Sequence, residues 1–581
     1  MPEASPERPF FPSRRLRYLL TWFLALSFAA GRIAHGHLCF QDSRPESDPA
    51  RRRDGNDGHV AIDFGGQWVM GRMLTRGFGQ ELYHRARQWE VAQQAFPRKR
   101  ESIHPDEHDA EKMLSWFMGR DNPRWRDVTG AAVAPLAATD PLGEFALVLH
   151  GNNQFAPDRL GTLLHPRGPP GIGGPLYPPL HAFVMAPFAL SDHPQAAYFA
   201  MQWVQLGLVF LAGLGINRMT SGRIWWPVAT ALLLIYPGCR GTVDLGQNSA
   251  TTLCILVWGW VLVVHGRPGW GGIVWGLLAY KPVWALSYFG ALVLLRQWRA
   301  LIGMAACGCL LVVATLPFVG IQSWLDWLYV GKTAAALYSV DVNWISLSRD
   351  LFGIPRRFFL NFDLSREQRD NVIAILLSWA LWAAVLETTI RVYFASVSRA
   401  TPLLGSLPAF VFFAAWLCTY RFMYYDSLIS AFPLCVLLAE PRRFFTPKPV
   451  NGRPDPALAG GEWYQAPVAT TLPHGGRSVW LTASFVLTIV ALMLLVDNVL
   501  QPLKIEANIV VGYLADTKTL PEGVSPTRPR MVIGSSDRYP WDTVGVLLLW
   551  LWCGLQLFWT RDDSSAAELV QSRPNVGGAH K

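Results

Sequence analysis

Two ionisable residues in this chain invite a chemical reading, one after the first apolar run and one inside a later run. Asp63 opens "DFGGQWVMGRMLTRGFGQELY", after a long apolar run that starts at Leu16 and a basic stretch at Arg51–Arg53. Lys281 lies inside the apolar run "WGLLAYKPVWALSYFG". An ionisable side chain near the centre of a membrane span costs roughly 2.5–3.5 kcal/mol and usually marks function. Pro282 follows Lys281, which predicts a broken or kinked helix there. A lysine on a broken helix can face a polar cavity and meet an anion. The competing reading is a lysine that snorkels to an interface, but Lys281 is far from either end of its run.

Other polar groups cluster at the edges of apolar runs. "DLGQNSATT" (Asp244–Thr252) opens one run with a carboxylate, two carboxamides and hydroxyls. Helix capping accounts for Asn248 or Ser249. It accounts less well for Gly246-Gln247, and such groups also hydrogen-bond a sugar. "PLYPPLHAFVMAPF" carries Tyr177 and His181, with prolines suited to a kinked helix entry. "VNWISLSRDLFG" carries Asn343 and Arg349, and "YRFMYYDSL" carries Arg421, Tyr425 and Asp426. An aromatic belt explains the tyrosines, but not an arginine and an aspartate so close together. "HPDEHDAEK" (His104–Lys112) fits no metal-ligand spacing and reads as a solvated charge run. No metal and no cofactor is expected.

The elements that must hold these residues are membrane spans. The chain has 581 residues, 51% hydrophobic, 16% charged, with 26 Trp and a mean hydropathy of +0.20. Soluble proteins carry about 25% charged residues, and Trp gathers at membrane interfaces. The net charge of +9 is mostly arginine between apolar runs. It sets orientation and forms no nucleic-acid patch. Most of the eight cysteines lie in apolar runs, and no CxxC pair exists, so neither a zinc site nor a redox motif is expected.

A span needs about 20 mainly apolar residues. By that measure the chain is an all-α polytopic membrane protein with about 11 to 13 crossings. The first run follows Arg14, Arg15 and Arg17. It reads as an uncleaved first helix, which puts Asp63 outside. Arg296, Arg299, Arg391, Arg442, Arg443 and Arg561 follow span ends and should be cytoplasmic. The segments 321–370 and 419–426 are then external. The parity of the short runs near Tyr177 and Lys281 stays open. The expected organisation is a cytoplasmic N-terminus (1–15), a transmembrane catalytic region (16–439) with a large first external loop (40–176), a cytoplasmic loop (440–477), a C-terminal transmembrane pair (478–560) and a cytoplasmic tail (561–581). "GPPGIGGP" lacks the Gly-Lys-Ser/Thr ending of a P-loop. No internal repeat is visible.

Taken in order, these stretches resemble the polyprenol-phosphate-sugar-dependent glycosyltransferases of the GT-C fold, and most closely glycosyltransferase family 87. The resemblance rests on Asp63-Phe64, Trp68, Gly77 or Gly79, and Leu82-Tyr83. It continues through Tyr177-Pro178-Pro179, Gly246-Gln247-Asn248, and the glycine-rich run Gly271, Gly272, Gly276 that ends in Lys281. It covers about Asp63–Gly320. The chain departs from the pattern at Asn343-Trp344-Ile345-Ser346, and "MYYDSL" stands where a Trp-His-like element is common.

The resemblance implies a GT-C-type bundle and an inverting hexosyltransferase of a bacterial inner membrane, active on the external face. Its donor would be a polyprenol-phosphate sugar carrying mannose, its acceptor a hydroxyl on a lipid or glycan, and its surroundings membrane lipid; nucleic acid plays no part. It implies Asp63 as the catalytic base. Lys281, Gln247, Asn248, Tyr177, Asn343, Arg349, Arg421, Tyr425 and Asp426 would bind the donor phosphate or substrate. Two other classes stay open from the residues alone: a transporter or lipid flippase, and an O-antigen-type ligase or polymerase using a lipid pyrophosphate.

Overall fold

The computed structural model describes residues 14–40, 64–83, 87, 91, 176–192, 194–338, 345, 347–358, 372–397, 402–439, 476–495 and 540–571. Among them the secondary structure is helical, and a single β-bridge pairs Ser348 with Met423. Ala196–Met219, Trp298–Leu328, Val372–Ser396 and Trp541–Phe558 are long and apolar enough to cross a membrane. Shorter apolar helices, including Ser249–Val264, Pro282–Leu294 and Ser406–Leu417, lie beside them. The protein is an all-α polytopic membrane protein, as its composition predicts.

Its exterior is apolar where lipid would lie. Leu286, Ile302, Leu310 and Phe318 are all exposed. In water such a surface would be an aggregation liability; in a bilayer it faces its natural solvent. The interior is packed with aromatic rings. Trp260, Trp275, Tyr288 and Phe432 surround Phe412, with ring centroids 4.8–6.0 Å from it. These edge-on and tilted contacts suit the ring quadrupoles.

The run around Lys281 breaks as its proline predicts. Helix Pro268–Gly276 tightens into a 3-10 turn at Leu277–Tyr280, and a new helix starts at Pro282. Lys281 has φ −137° and ψ 74°, outside the α region that a following proline disfavours. Small residues hold the first half of this broken helix against helix Trp298–Tyr338. A Cβ added to Gly272 would meet the Ala300 carbonyl, and one added to Gly276 would meet Cys307. Close backbone approach through small residues is how helices associate in lipid.

Helix Trp298–Tyr338 carries Pro317 and a non-helical Gly320 (φ 67°, ψ 166°). The apolar run ends at this kink, and helical structure resumes beyond it, at the start of the segment expected to be external. Ser323 Oγ donates to the carbonyls of Gly79 and Gln80. The segment following helix Gly65–Thr75 is thereby fastened to the kinked end of the span. Near the C-terminus, helix Trp541–Gln571 packs on helix Ser406–Leu417, with Trp550 stacked on Phe410 at 5.4 Å. This helix runs continuously past residue 561, the expected start of the tail.

Candidate active site

The polar residues of the bundle converge where helices end. Helix Ser249–Val264 begins after the turn Leu245–Asn248, and Gly246 takes φ +62° in that turn. A side chain on Gly246 would also press on Phe64, whose ring is 3.0 Å from the place of a Cβ. The glycine therefore permits both a left-handed backbone and a close approach. Phe64 is the chain neighbour of Asp63, and helix Gly65–Thr75 follows it directly.

Gln67, one turn into that helix, is the hub of the first half of the site. It is 1% exposed. Its Nε2 donates to the Gly246 carbonyl at 3.3 Å, which orients the amide. Its Oε1 then accepts from Asn248 Nδ2 at 3.4 Å and from His181 Nε2 at 3.0 Å. An amide oxygen only accepts, so the ring proton of neutral His181 sits on Nε2 and Nδ1 carries a lone pair. His181 is stacked on Tyr177, centroids 4.1 Å apart, and faces Tyr280 at 5.9 Å. Tyr177 donates to Gln247 Oε1 at 2.8 Å. Tyr280 donates to the Asn248 carbonyl at 3.1 Å, and its hydroxyl is 2.6 Å from Thr252 Oγ1. Two acceptors in this cluster, His181 Nδ1 and Asn248 Oδ1, are buried without a hydrogen-bond partner among the described residues.

The second half of the site is an ion pair. Lys281 Nζ is 2.6 Å from Asp426 Oδ1. That oxygen also accepts from Ser249 Oγ at 2.5 Å. Asp426 is 2% exposed and Lys281 8%. The anion that Lys281 meets is thus one of the chain's own. Its ammonium also lies 5.7 Å from the centroid of the Tyr425 ring. Asp426 reaches this depth because "YYDSLIS" forms a buried 3-10 helix, Tyr424–Ser430. The stretch expected to mark a membrane boundary therefore folds inward at its acidic end.

Of the residues singled out in sequence, Tyr177, Gln247, Asn248, Lys281, Tyr425 and Asp426 come together in this network. Arg349 lies in a neighbouring one. Its Nε donates to Asp542 Oδ2 at 2.8 Å, and its NH1 donates to the carbonyls of Leu347 and Ser348. Ser427 Oγ donates to the same Asp542 oxygen at 2.6 Å, so this second network starts one residue from Asp426. Arg421 takes φ 51° and lies over the Tyr420 ring at 5.0 Å. With Arg356, Asp350 and Ser348 it lines a separate cleft. Asp63 and Asn343 lie outside the described residues.

Sequence reasoning did not single out Gln67, Tyr280 or Asp542, and it read Ser249 only as a candidate helix cap, whereas its hydroxyl donates to Asp426. Gln67 and Tyr280 are neutral polar residues within helical stretches and carry no signal of their own. Asp542 had one: it is an acid at the mouth of the last apolar run, the same feature that marked Asp63.

Comparison with known proteins adds one finding. Residues 176–443 match the model of glycosyltransferase family 87. No curated protein and no solved structure matches the chain. The matched stretch contains Tyr177, His181, Gln247, Asn248, Lys281, Arg349, Arg421 and Asp426.

Proposed function

We propose, on the match of residues 176–443 to glycosyltransferase family 87, that the protein is a membrane glycosyltransferase that uses a polyprenol-phosphate hexose as its donor. The hexose is mannose, and the acceptor is a hydroxyl on a lipid or glycan at the external face of a bacterial inner membrane. The observation that carries this reading is the buried Lys281–Asp426 pair within a polar network. That network reaches, through Gln67 and Gly246, the helix directly following Asp63. A transmembrane protein without polar chemistry has no use for so many desolvated groups.

The reaction is a single displacement with inversion. The acceptor oxygen forms a bond to the anomeric carbon as the bond from that carbon to the phosphate oxygen breaks. The electron pair leaves on the polyprenyl phosphate, and Asp63 takes the acceptor proton. General-base catalysis of this kind contributes about 10²–10⁴-fold.

Cationic groups offset the charge gathering on the phosphate. An ammonium has three donors, so Lys281 can hold Asp426 with one and a phosphate oxygen with another. Arg421 supplies a second cation from the neighbouring cleft, and Asn343 binds substrate from the same stretch of chain as Arg349. Arg349 acts by bracing this stretch against Asp542, next in the network to Ser427. Tyr177, Gln247, Asn248 and Tyr425 bind the sugar and its phosphate. In this reading the transmembrane catalytic region is 16–439, and the pair at 478–560 supports it.

The test is incubation of the purified protein with labelled polyprenol-phosphate mannose and membrane lipid, followed by identification of the labelled products. Transfer is expected without any transmembrane gradient. Asp63→Asn should leave a folded, donor-binding protein whose turnover falls by about 10²–10⁴-fold. Movement of intact donor lipid across the bilayer, with no sugar transferred, would sink the proposal.

A further inference from the structure

His181 Nδ1 and Asn248 Oδ1 are both acceptor atoms, both buried, and neither has a donor among the described residues. Their residues are 0% and 1% exposed. Each residue donates one hydrogen bond to the same atom, Gln67 Oε1. The free lone pairs therefore belong to side chains fixed on a common hub. Gln67 is itself held by the Gly246 carbonyl, and the His181 ring is held flat by Tyr177 and Tyr280. Neither side chain can turn to find another partner without giving up a bond it already makes. Buried acceptors left without donors cost free energy, and native proteins rarely tolerate them. Two on one hub call for a ligand that brings hydrogen-bond donors and no further acceptor charge. A phosphate does not qualify, because its oxygens are acceptors. A polyol does: each hydroxyl donates one hydrogen, and its carbons can lie against the neighbouring aromatic rings.

We propose that His181 Nδ1 and Asn248 Oδ1 form a hydroxyl-reading subsite that accepts hydrogen bonds from the transferred hexose. The proposal rests on the sugar-transfer reading above and goes beyond it by naming the atoms that recognise the sugar. In this arrangement His181 is a neutral acceptor whose tautomer Gln67 sets. Gln67 is a positioning residue, since it acts through the other two side chains. Lys281 and Asp426 lie on the adjoining side of Asn248–Ser249, so the sugar and its phosphate are recognised by different halves of the network.

The experiment compares labelled polyprenol-phosphate mannose with its four monodeoxy analogues, in wild type, His181→Phe and Asn248→Ala. His181→Phe keeps a flat ring between the two tyrosines and removes the acceptor. In the wild type, deletion of a read hydroxyl should lower kcat/KM by roughly 10- to 100-fold, because an acceptor is then left unpaired. In each variant, one particular deoxy analogue should be used about as well as the parent sugar, and the two variants should respond to different hydroxyls. Thermal unfolding in detergent identifies a variant that fails to fold, and the other variant then carries the comparison. Equal penalties for every deoxy analogue in wild type and in a folded variant would overturn the subsite and leave sugar transfer standing. That result is expected if ordered water satisfies the two acceptors. Absence of transfer by the wild type from the parent donor would overturn both readings.

Discussion

Lys281 and Asp426 are 145 residues apart in sequence and 2.6 Å apart in the structure, buried together at the break between two helices. The pair explains why the chain tolerates either charge. A lone ammonium or carboxylate in the bundle would face the full cost of desolvation, whereas each here neutralises the other. Ser249 adds a hydrogen bond to the same carboxylate oxygen and pins the start of a third helix to the pair.

Removing one partner should therefore be worse than removing both. Lys281→Met leaves Asp426 as an uncompensated buried charge, and the expected loss is about 3–5 kcal/mol. Lys281→Met combined with Asp426→Asn should recover much of that stability while abolishing transfer. Thermal unfolding of the two single variants and the double variant in detergent gives the coupling directly. A strictly additive result would mean that the two charges do not interact in the folded protein.

How far the sequence discloses this site follows from the same energetics. A lysine in an apolar run is costly enough to be visible without any structure, and so is a proline that must break the helix. Lys281, Pro282 and the polar turn Gly246–Asn248 were therefore legible. The carboxylate that answers Lys281 was noticed, but as a boundary residue, because a 3-10 helix that folds inward has no signature in "YYDSLIS". Gln67 was not legible. A glutamine on a helix is ordinary, and only tertiary contact makes it the hub between Gly246, Asn248 and His181. The kink at Gly320 was hidden in the same way, within a run whose apolar character alone set its end. All-α membrane architecture needed only composition and run length.

Arg349 is committed to several partners in a fixed fork. Its Nε holds Asp542, and its NH1 holds the carbonyls of Leu347 and Ser348. Lysine cannot reproduce that geometry. Arg349→Lys should behave nearly as badly as Arg349→Met, with lower thermal stability and reduced transfer in both. Asp542→Asn should cost less than either, because the amide oxygen still accepts from Ser427 or Arg349. Full rescue by lysine would show that charge alone matters at this position.

Asp350 offers a pH-dependent test outside the spans. Its Oδ1 accepts the Gly353 backbone N–H at 2.7 Å. Burial nevertheless raises its pKa above the ordinary 3.8, with Arg421, Arg357 and Arg356 only partly opposing the shift. The folded protein thus keeps a proton that the unfolded chain has already released. Between the ordinary value and the raised one, unfolding releases a proton, so stability falls as pH rises through that window. Below the window the contribution is flat. Asp350→Asn should remove this slope and leave the protein at least as stable at neutral pH. Chemical denaturation of wild type and variant across acidic pH checks the sign, and a wild-type stability that rises through the same window would refute it.

Side of the membrane is the remaining question that one experiment can decide, and the arginine pattern makes a definite statement about it. Arg391 lies on the exposed end of helix Val372–Ser396 and should be cytoplasmic. Arg421 is partly exposed, lies beyond the following apolar helix Ser406–Leu417, and should be external. Asp63 follows the first span and should share the side of Arg421. A cysteine placed at each position, in a Cys309→Ser background that removes the one exposed cysteine among the described residues, can be challenged with a membrane-impermeant thiol reagent in intact cells. Cysteines replacing Asp63 and Arg421 should react, and one replacing Arg391 should react only after the membrane is opened. The first two carry the argument. The polar network ties Gln67, close behind Asp63, to Asn248, and Ser249 in turn to Asp426, close behind Arg421. A reagent that reached Asp63 from one side and Arg421 from the other would separate the base from the cations it has to work with, and single-displacement transfer at this site would no longer be tenable.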